Sequence, residues 1–226
     1  MKNVRILLIL LVSSFVSAQN NPQPTVDVTG EGIILAVPDE VTISVRVENT
    51  GNEVRPLKAM NDQIVQDVLQ TVKRIGIVDK NVQTEYVRLT KNYDYKTKTY
   101  NFSANQTIRI YLKDLEKYEP LMDGLMASGI NRIDGIAFSS SKETALKSQA
   151  RKKAIENAVM KAEEYVGVLN QTIGKAVSIS EFNNATMPQP MYRSMAMQDE
   201  SASSKQTLAP GEIEIRTAVK VRFILN

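Results

Sequence analysis

The sequence predicts an α+β fold: antiparallel sheets carrying a long Ala-rich helix, with one or two shorter helices packed on them and a protruding hairpin. Two observations point there. Apolar residues recur at every second position in several separate segments, the last of them at the very C-terminus, and two intervening segments switch to three- and four-residue apolar spacing.

Taken in order, a strand covers Val26 to Ala36, Pro38-Asp39 supplies a turn, and Val41, Ile43, Val45 and Val47 alternate with Thr42, Ser44 and Arg46. Leu57, Met60, Ile64, Val68, Val72 and Ile75 then follow helical spacing, with Pro56 near the start and Gly76 past the end. Val82 to Tyr95 and Thr99 to Leu112 form a long hairpin joined at Lys96-Thr97-Lys98. A short helix starts at Glu119-Pro120 and stops before Gly129, and Asn131 to Ser139 is a strand.

The longest helix is predicted from Ser140, whose spacing from Glu143 fits a capping box, to about Asn170. Its buried stripe reads Leu146, Ala150, Ala154, Ala158, Ala162, Val166, Leu169. The opposite face, with Lys147, Arg151, Lys152, Glu156, Lys161 and Glu164, reads as solvated. After a strand from Ala176 to Phe182, residues 183–210 are rich in Met, Pro and Ser and form an excursion. The final strand alternates from Ile213 to Leu225 and completes a sheet begun earlier.

Lys2 and Arg5 before the apolar run Ile6 to Val12, then Val16-Ser17-Ala18, read as a signal peptide over 1–18 cleaved before Gln19. The run is too short to span a hydrocarbon core of roughly 30 Å, so no transmembrane segment is expected after cleavage. Processing would lower the formal net charge from +3 to +1 by removing Lys2 and Arg5. Cations and anions are interleaved over most of the chain, which argues against a nucleic-acid partner. Residues 19–226 form one region, with a division into subdomains at about 25–112 and 113–226 left open.

The chain of 226 residues has neither His nor Cys. That removes the usual nucleophile–base pairs and the commonest transition-metal ligands, so an enzyme is not expected, and neither catalytic residues nor cofactors are assigned. Adjacent carboxylates such as Asp39-Glu40 and Glu163-Glu164 point in different directions and do not suit acid–base work. Met187, Met191, Met195 and Met197 cluster in the excursion. Their thioethers suit Cu(I) or could consume oxidant, but the favoured reading is flexible apolar contacts that dock the excursion on its own body or a neighbouring subunit, and no metal site is assigned. Tyr93, Tyr95 and Tyr100 are interface candidates at the hairpin tip, the alternative being cross-strand aromatic pairing that only stabilises it.

Several local patterns occur in a fixed order. They are Val28-Thr29-Gly30-Glu31-Gly32 ahead of Pro38-Asp39, Gly76-Ile77 before Thr84 and Tyr86, Tyr93-Asp94-Tyr95, and Ser103-Ala104-Asn105. Gly129-Ile130-Asn131 with Gly135 to Ser139, the helix through Ala150 to Ala162, and Pro210-Gly211-Glu212-Ile213 complete the series. Together they resemble the SIMPL-domain family, formerly DUF541, over about residues 25–225. The resemblance implies an exported α+β protein of the periplasm or outer membrane, without family catalytic residues. It also implies homo-oligomers and a role in envelope integrity or oxidative-stress tolerance. Gly30, Gly32, Pro38, Asp39 and Gly211 match family positions and read as turn and bulge residues. The alternative function is a monomeric periplasmic binding module for a small ligand, a metal or another envelope protein.

Overall fold

Two antiparallel sheets organise the fold, one built from a continuous stretch of chain and the other from strands on both sides of it. The structure, a computed structural model, describes residues 23–182 and 208–226. One sheet has three strands in the order β1-β8-β7, from β1 (Thr25–Ala36), β7 (Ile173–Phe182) and β8 (Ile213–Leu225). The other runs β3-β5-β2-β6, with β4 also beside β5. Its strands are β2 (Glu40–Gly51), β3 (Val82–Thr84), β4 (Arg88–Asp94), β5 (Thr99–Leu112) and β6 (Arg132–Ser139). The fold class is α+β, as the sequence predicts. Each sheet takes strands from both sides of Leu112.

Helices α1 (Val54–Arg74) and α2 (Tyr118–Ala127) lie on the five-stranded sheet. The odd-numbered apolar residues of β2 and their even-numbered partners in β5, such as Val45 opposite Ile108, meet Val65, Val68, Val72, Leu121 and Leu125 in one core. Removing each such side chain from water contributes about 1.5–3 kcal/mol. Gly76 and Gly129, at φ +83° and +88°, end α1 and α2 in the left-handed conformation that glycine tolerates.

Helix α3 (Glu143–Gly167) packs on β1 and β8 through Ala154, Ala158 and Ala162 against Val28, Val219, Val221 and Phe223. Gly30 and Gly32 are mid-strand residues, which corrects their reading as turn residues. A Cβ on Gly30 would lie 2.0 Å from the Ala154 carbonyl oxygen, and one on Gly32 would lie 1.9 Å from that of Ala150. Glycine on the strand and alanine on the helix together bring the two backbones into contact.

Three sequence boundaries shift for visible reasons. The strand expected over Val82 to Tyr95 is broken at Glu85–Val87, because four steps from Thr84 to Arg88 face three from Ile108 to Asn105. The Gln106 side chain occupies the break, its Nε2 donating to the Glu85 carbonyl at 2.7 Å. The capping box at Ser140 does not form: Lys142 is the N-cap, and the Glu143 N–H donates to the Ser140 backbone carbonyl at 3.0 Å. Leu169 lies beyond the helix end and is 65% exposed instead of completing the buried stripe. Among the described residues, no helix is long and apolar enough to cross a membrane.

Candidate functional site

The β4–β5 hairpin protrudes, since β2 accompanies β5 only as far as Phe102, opposite Gly51. Cross-strand pairs share a face, so Lys91 with Phe102 and Tyr93 with Tyr100 stand on one side, and Thr90 with Ser103 and Asn92 with Asn101 on the other. The first side continues the sheet face that α1 covers, past the start of the helix. Tyr93 packs against Tyr95 edge-on at 5.0 Å and against Tyr100 at 4.9 Å between ring centres. The structure thus brings the three sequence-predicted tyrosines together, and it leaves Tyr95 85% exposed.

Asp94 shapes the tip. Its Oδ1 accepts from the Lys96 N–H at 2.8 Å and the Thr97 N–H at 3.4 Å, and these bonds hold its carboxyl below the usual range. Lys98, at φ +54°, completes the turn. Arg88, Lys91, Lys96 and Lys98 against Asp94 give residues 88–102 a net charge of +3. The Lys91 ammonium sits 4.1 Å from the centre of the Tyr100 ring.

A second feature is an asymmetry between the two edges of the three-stranded sheet. The free edge of β1 is capped by α3. Lys161 Nζ donates to the Thr29 carbonyl at 2.9 Å, the Glu31 N–H donates to Asn157 Oδ1 at 3.0 Å, and Lys153 Nζ reaches the Ile33 carbonyl at 3.5 Å. Two strand residues span about 6.6 Å and four helix residues about 6.0 Å, so the antiparallel β1 and α3 keep step. Among the described residues, no side chain hydrogen-bonds to the backbone of β7. Ile179 stands opposite Val221 but is 61% exposed, because α3 lies over β1 and β8. Val177 and Phe182 are also exposed, Phe182 on the other face of the sheet, opposite Ala218.

Sequence reasoning misses this cap. It places Lys161 on a solvated face together with Arg151, which instead binds Glu181 of β7 through Nε at 2.9 and 3.0 Å. The available signal is the four-residue spacing of Lys153, Asn157 and Lys161 beside the alanine stripe.

The adjacent carboxylates Asp39 and Glu40 serve the junction between the sheets. Asp39 accepts from the Ser141 N–H at 2.7 Å and its hydroxyl at 2.5 Å, and the Ser141 hydroxyl, then its N–H, hold the Asp39 carboxyl below the usual range. Glu40 is buried and accepts from Tyr111, whose phenol that bond, burial and the Glu40 charge push up to about 12. Glu163 and Glu164 are exposed on α3. A cleft of about 340 Å³ lies between α1 and β3, lined by Leu69, Val72, Lys73, Ile77, Asp79 and Val82. Among the described residues, no group of three or more acidic side chains is placed to hold a metal ion. Met187, Met191, Met195 and Met197 lie outside the described residues.

Comparison of the sequence with known proteins points to a family. The chain is 27% identical over 223 residues to the uncharacterized protein YggE of Escherichia coli K12, covering 96% of this chain and 91% of that protein. It is 26% identical over 232 residues to the 26 kDa periplasmic immunogenic protein of Brucella melitensis, covering 95% and 93% respectively. A mouse interleukin-1 receptor-associated kinase 1-binding protein 1 is 26% identical over 164 residues, covering 69% of this chain and 59% of that protein. The family profile of SIMPL, described as a protein of unknown function (DUF541), matches residues 26–223, and the chain belongs to that family.

Proposed function

We propose that this chain is a non-enzymatic exported protein that self-assembles in the bacterial periplasm or at the outer membrane and supports envelope integrity or stress tolerance. Export rests on the N-terminal pattern over residues 1–18, and the name of the Brucella relative supports the compartment. Self-assembly rests on one observation: β1 has its edge closed by three helix side chains, whereas among the described residues β7 presents an open edge with Val177, Ile179 and Phe182 exposed. Open edges pair with further strands unless something blocks them. Two copies related by a two-fold axis would pair β7 with β7 and extend three strands to six.

The register shifts on either side of Ala176 leave Ser178–Phe182 as the regular stretch for such pairing. Light scattering on residues 19–226 at micromolar concentration tests the reading. A mass that is a multiple of the monomer is expected, falling to the monomer on Ile179→Lys. Wild-type protein that is monomeric throughout the range rules it out.

A further inference from the structure

We infer that the β4–β5 hairpin is a docking surface for an anionic phospholipid bilayer, with its tyrosine face at the headgroup level and its lysines against the phosphates. This goes beyond the β7 contact, which lies on the other sheet.

The argument starts from the two faces. One carries Lys91, Tyr93, Tyr95, Tyr100 and Phe102, and the other carries Thr90, Asn92 and Asn101, so the exposed hairpin is amphipathic. Nothing among the described residues covers the aromatic face beyond the start of α1, and Tyr95 and Tyr100 are 85% and 56% exposed. Large aromatic side chains left in water in a cluster mark an interaction surface.

Charge then selects the occupant. The hairpin holds a net +3 over residues 88–102. A second copy presenting the same face would set +3 against +3, which opposes a two-fold contact through these residues. A bilayer with anionic lipid offers negative charge over a continuous surface, and each nearby Lys or Arg gains from it. Tyrosine favours the boundary where an apolar ring meets a wet headgroup. Lys91, lying across the Tyr100 ring at 4.1 Å, keeps its ammonium at the rim of the aromatic patch.

The experiment uses residues 19–226 with Tyr95→Trp, which introduces a single indole, excited selectively over the tyrosines, into a chain that has no tryptophan of its own. Vesicles of phosphatidylcholine with phosphatidylglycerol should co-sediment with the protein and shift the indole emission to the blue, whereas phosphatidylcholine alone should do neither. Binding should weaken as salt shortens the Debye length to about 8 Å at physiological ionic strength. Lys91→Gln, Lys96→Gln and Lys98→Gln together should lower partitioning on the order of a hundredfold, with circular dichroism showing the fold retained.

Three results would overturn the inference: no binding to the anionic vesicles, equal binding to both lipids, or unchanged binding of the lysine variant. Emission already shifted to the blue without vesicles would also overturn it, because protein then covers the face. Light scattering on the same samples reports self-association separately, so vesicle binding by a monomer sinks only the β7 reading.

Discussion

Single residues at two places hold parts of the chain together by means that tolerate little change. At Gly30 the obstacle to any side chain is backbone, the Ala154 carbonyl at 2.0 Å and the Ala158 nitrogen at 2.6 Å, so relief requires the whole helix to move. Gly30→Ala should therefore cost at least about 3 kcal/mol in urea unfolding, whereas Gly135→Ala, with nothing within 4 Å, should stay within about 0.5 kcal/mol. Equal effects would show that α3 does not rest on this glycine. At the junction, Tyr111 donates to Glu40, and its phenol is raised from 10.0 to about 12. A raised folded-state value stabilises fully below the unfolded value and is lost as pH rises through the folded one, so stability should fall between pH 10 and 12. Tyr118, raised chiefly by burial, adds to the same limb, so Tyr111→Phe should flatten it without abolishing it. Asp27, Asp39 and Asp94 act in the opposite sense. Their lowered values stabilise above 3.8 and lose that contribution as pH falls through the folded values. With no His in the chain, neither limb reaches neutrality.

Elements divide into those that close a surface and those that leave one open, and α3 does both. It lies antiparallel to β1 at a spacing where one four-residue helix step matches two strand residues, so Lys153, Asn157 and Lys161 meet Ile33, Glu31 and Thr29 in succession. Replacing all three by Ala keeps helix propensity but frees the β1 edge. The variant should show higher mass by light scattering than wild type at equal concentration, with the increase surviving Ile179→Lys. No increase would mean that the cap does not limit pairing. Much of this element plan was legible in the sequence. Alternation in β2, β5 and β8 and the alanine stripe of α3 follow directly from one face meeting the core. The break at Glu85–Val87 was not legible, because it depends on Gln106 from another strand reaching the Glu85 carbonyl. The helix starts later than its sequence pattern predicts for a similar reason: Ser141 is held by Asp39, a residue 102 positions away. Of the candidate surfaces, the tyrosine cluster could be read from spacing alone. The β7 edge, open among the described residues, could not, since it stands out only by contrast with a capped edge that tertiary contact creates.

At the scale of the whole molecule, the five-stranded sheet with α1 and α2 uses one continuous stretch of chain, residues 40–139, inserted between β1 and α3. The three-stranded sheet needs both flanks, because β1 pairs with β8 along its full length from Thr25 opposite Ile224 to Ala36 opposite Ile213. The buried apolar residues sort the same way, into one cluster around Val45, Val68 and Ile110 and another around Val28, Ala158 and Val221. The chain crosses between the two assemblies at Val37–Asp39 and again at Ser140–Lys142. The Asp39 bonds to Ser141, together with the Asp39 N–H donating to the Ser139 carbonyl at 3.2 Å, tie the two crossings together. A unit with its own sheet, helices and core, entered and left at neighbouring points, has what independent folding requires. A fragment of residues 40–139 should therefore unfold in urea as a single cooperative transition, while residues 23–36 and 143–226 mixed as separate pieces should fold only when both are present. The Tyr95→Trp form of the fragment should still bind phosphatidylglycerol vesicles, because the hairpin lies wholly within it. A fragment without a cooperative transition would show that the second sheet, through Asp39 and Ser141, is needed to complete the first.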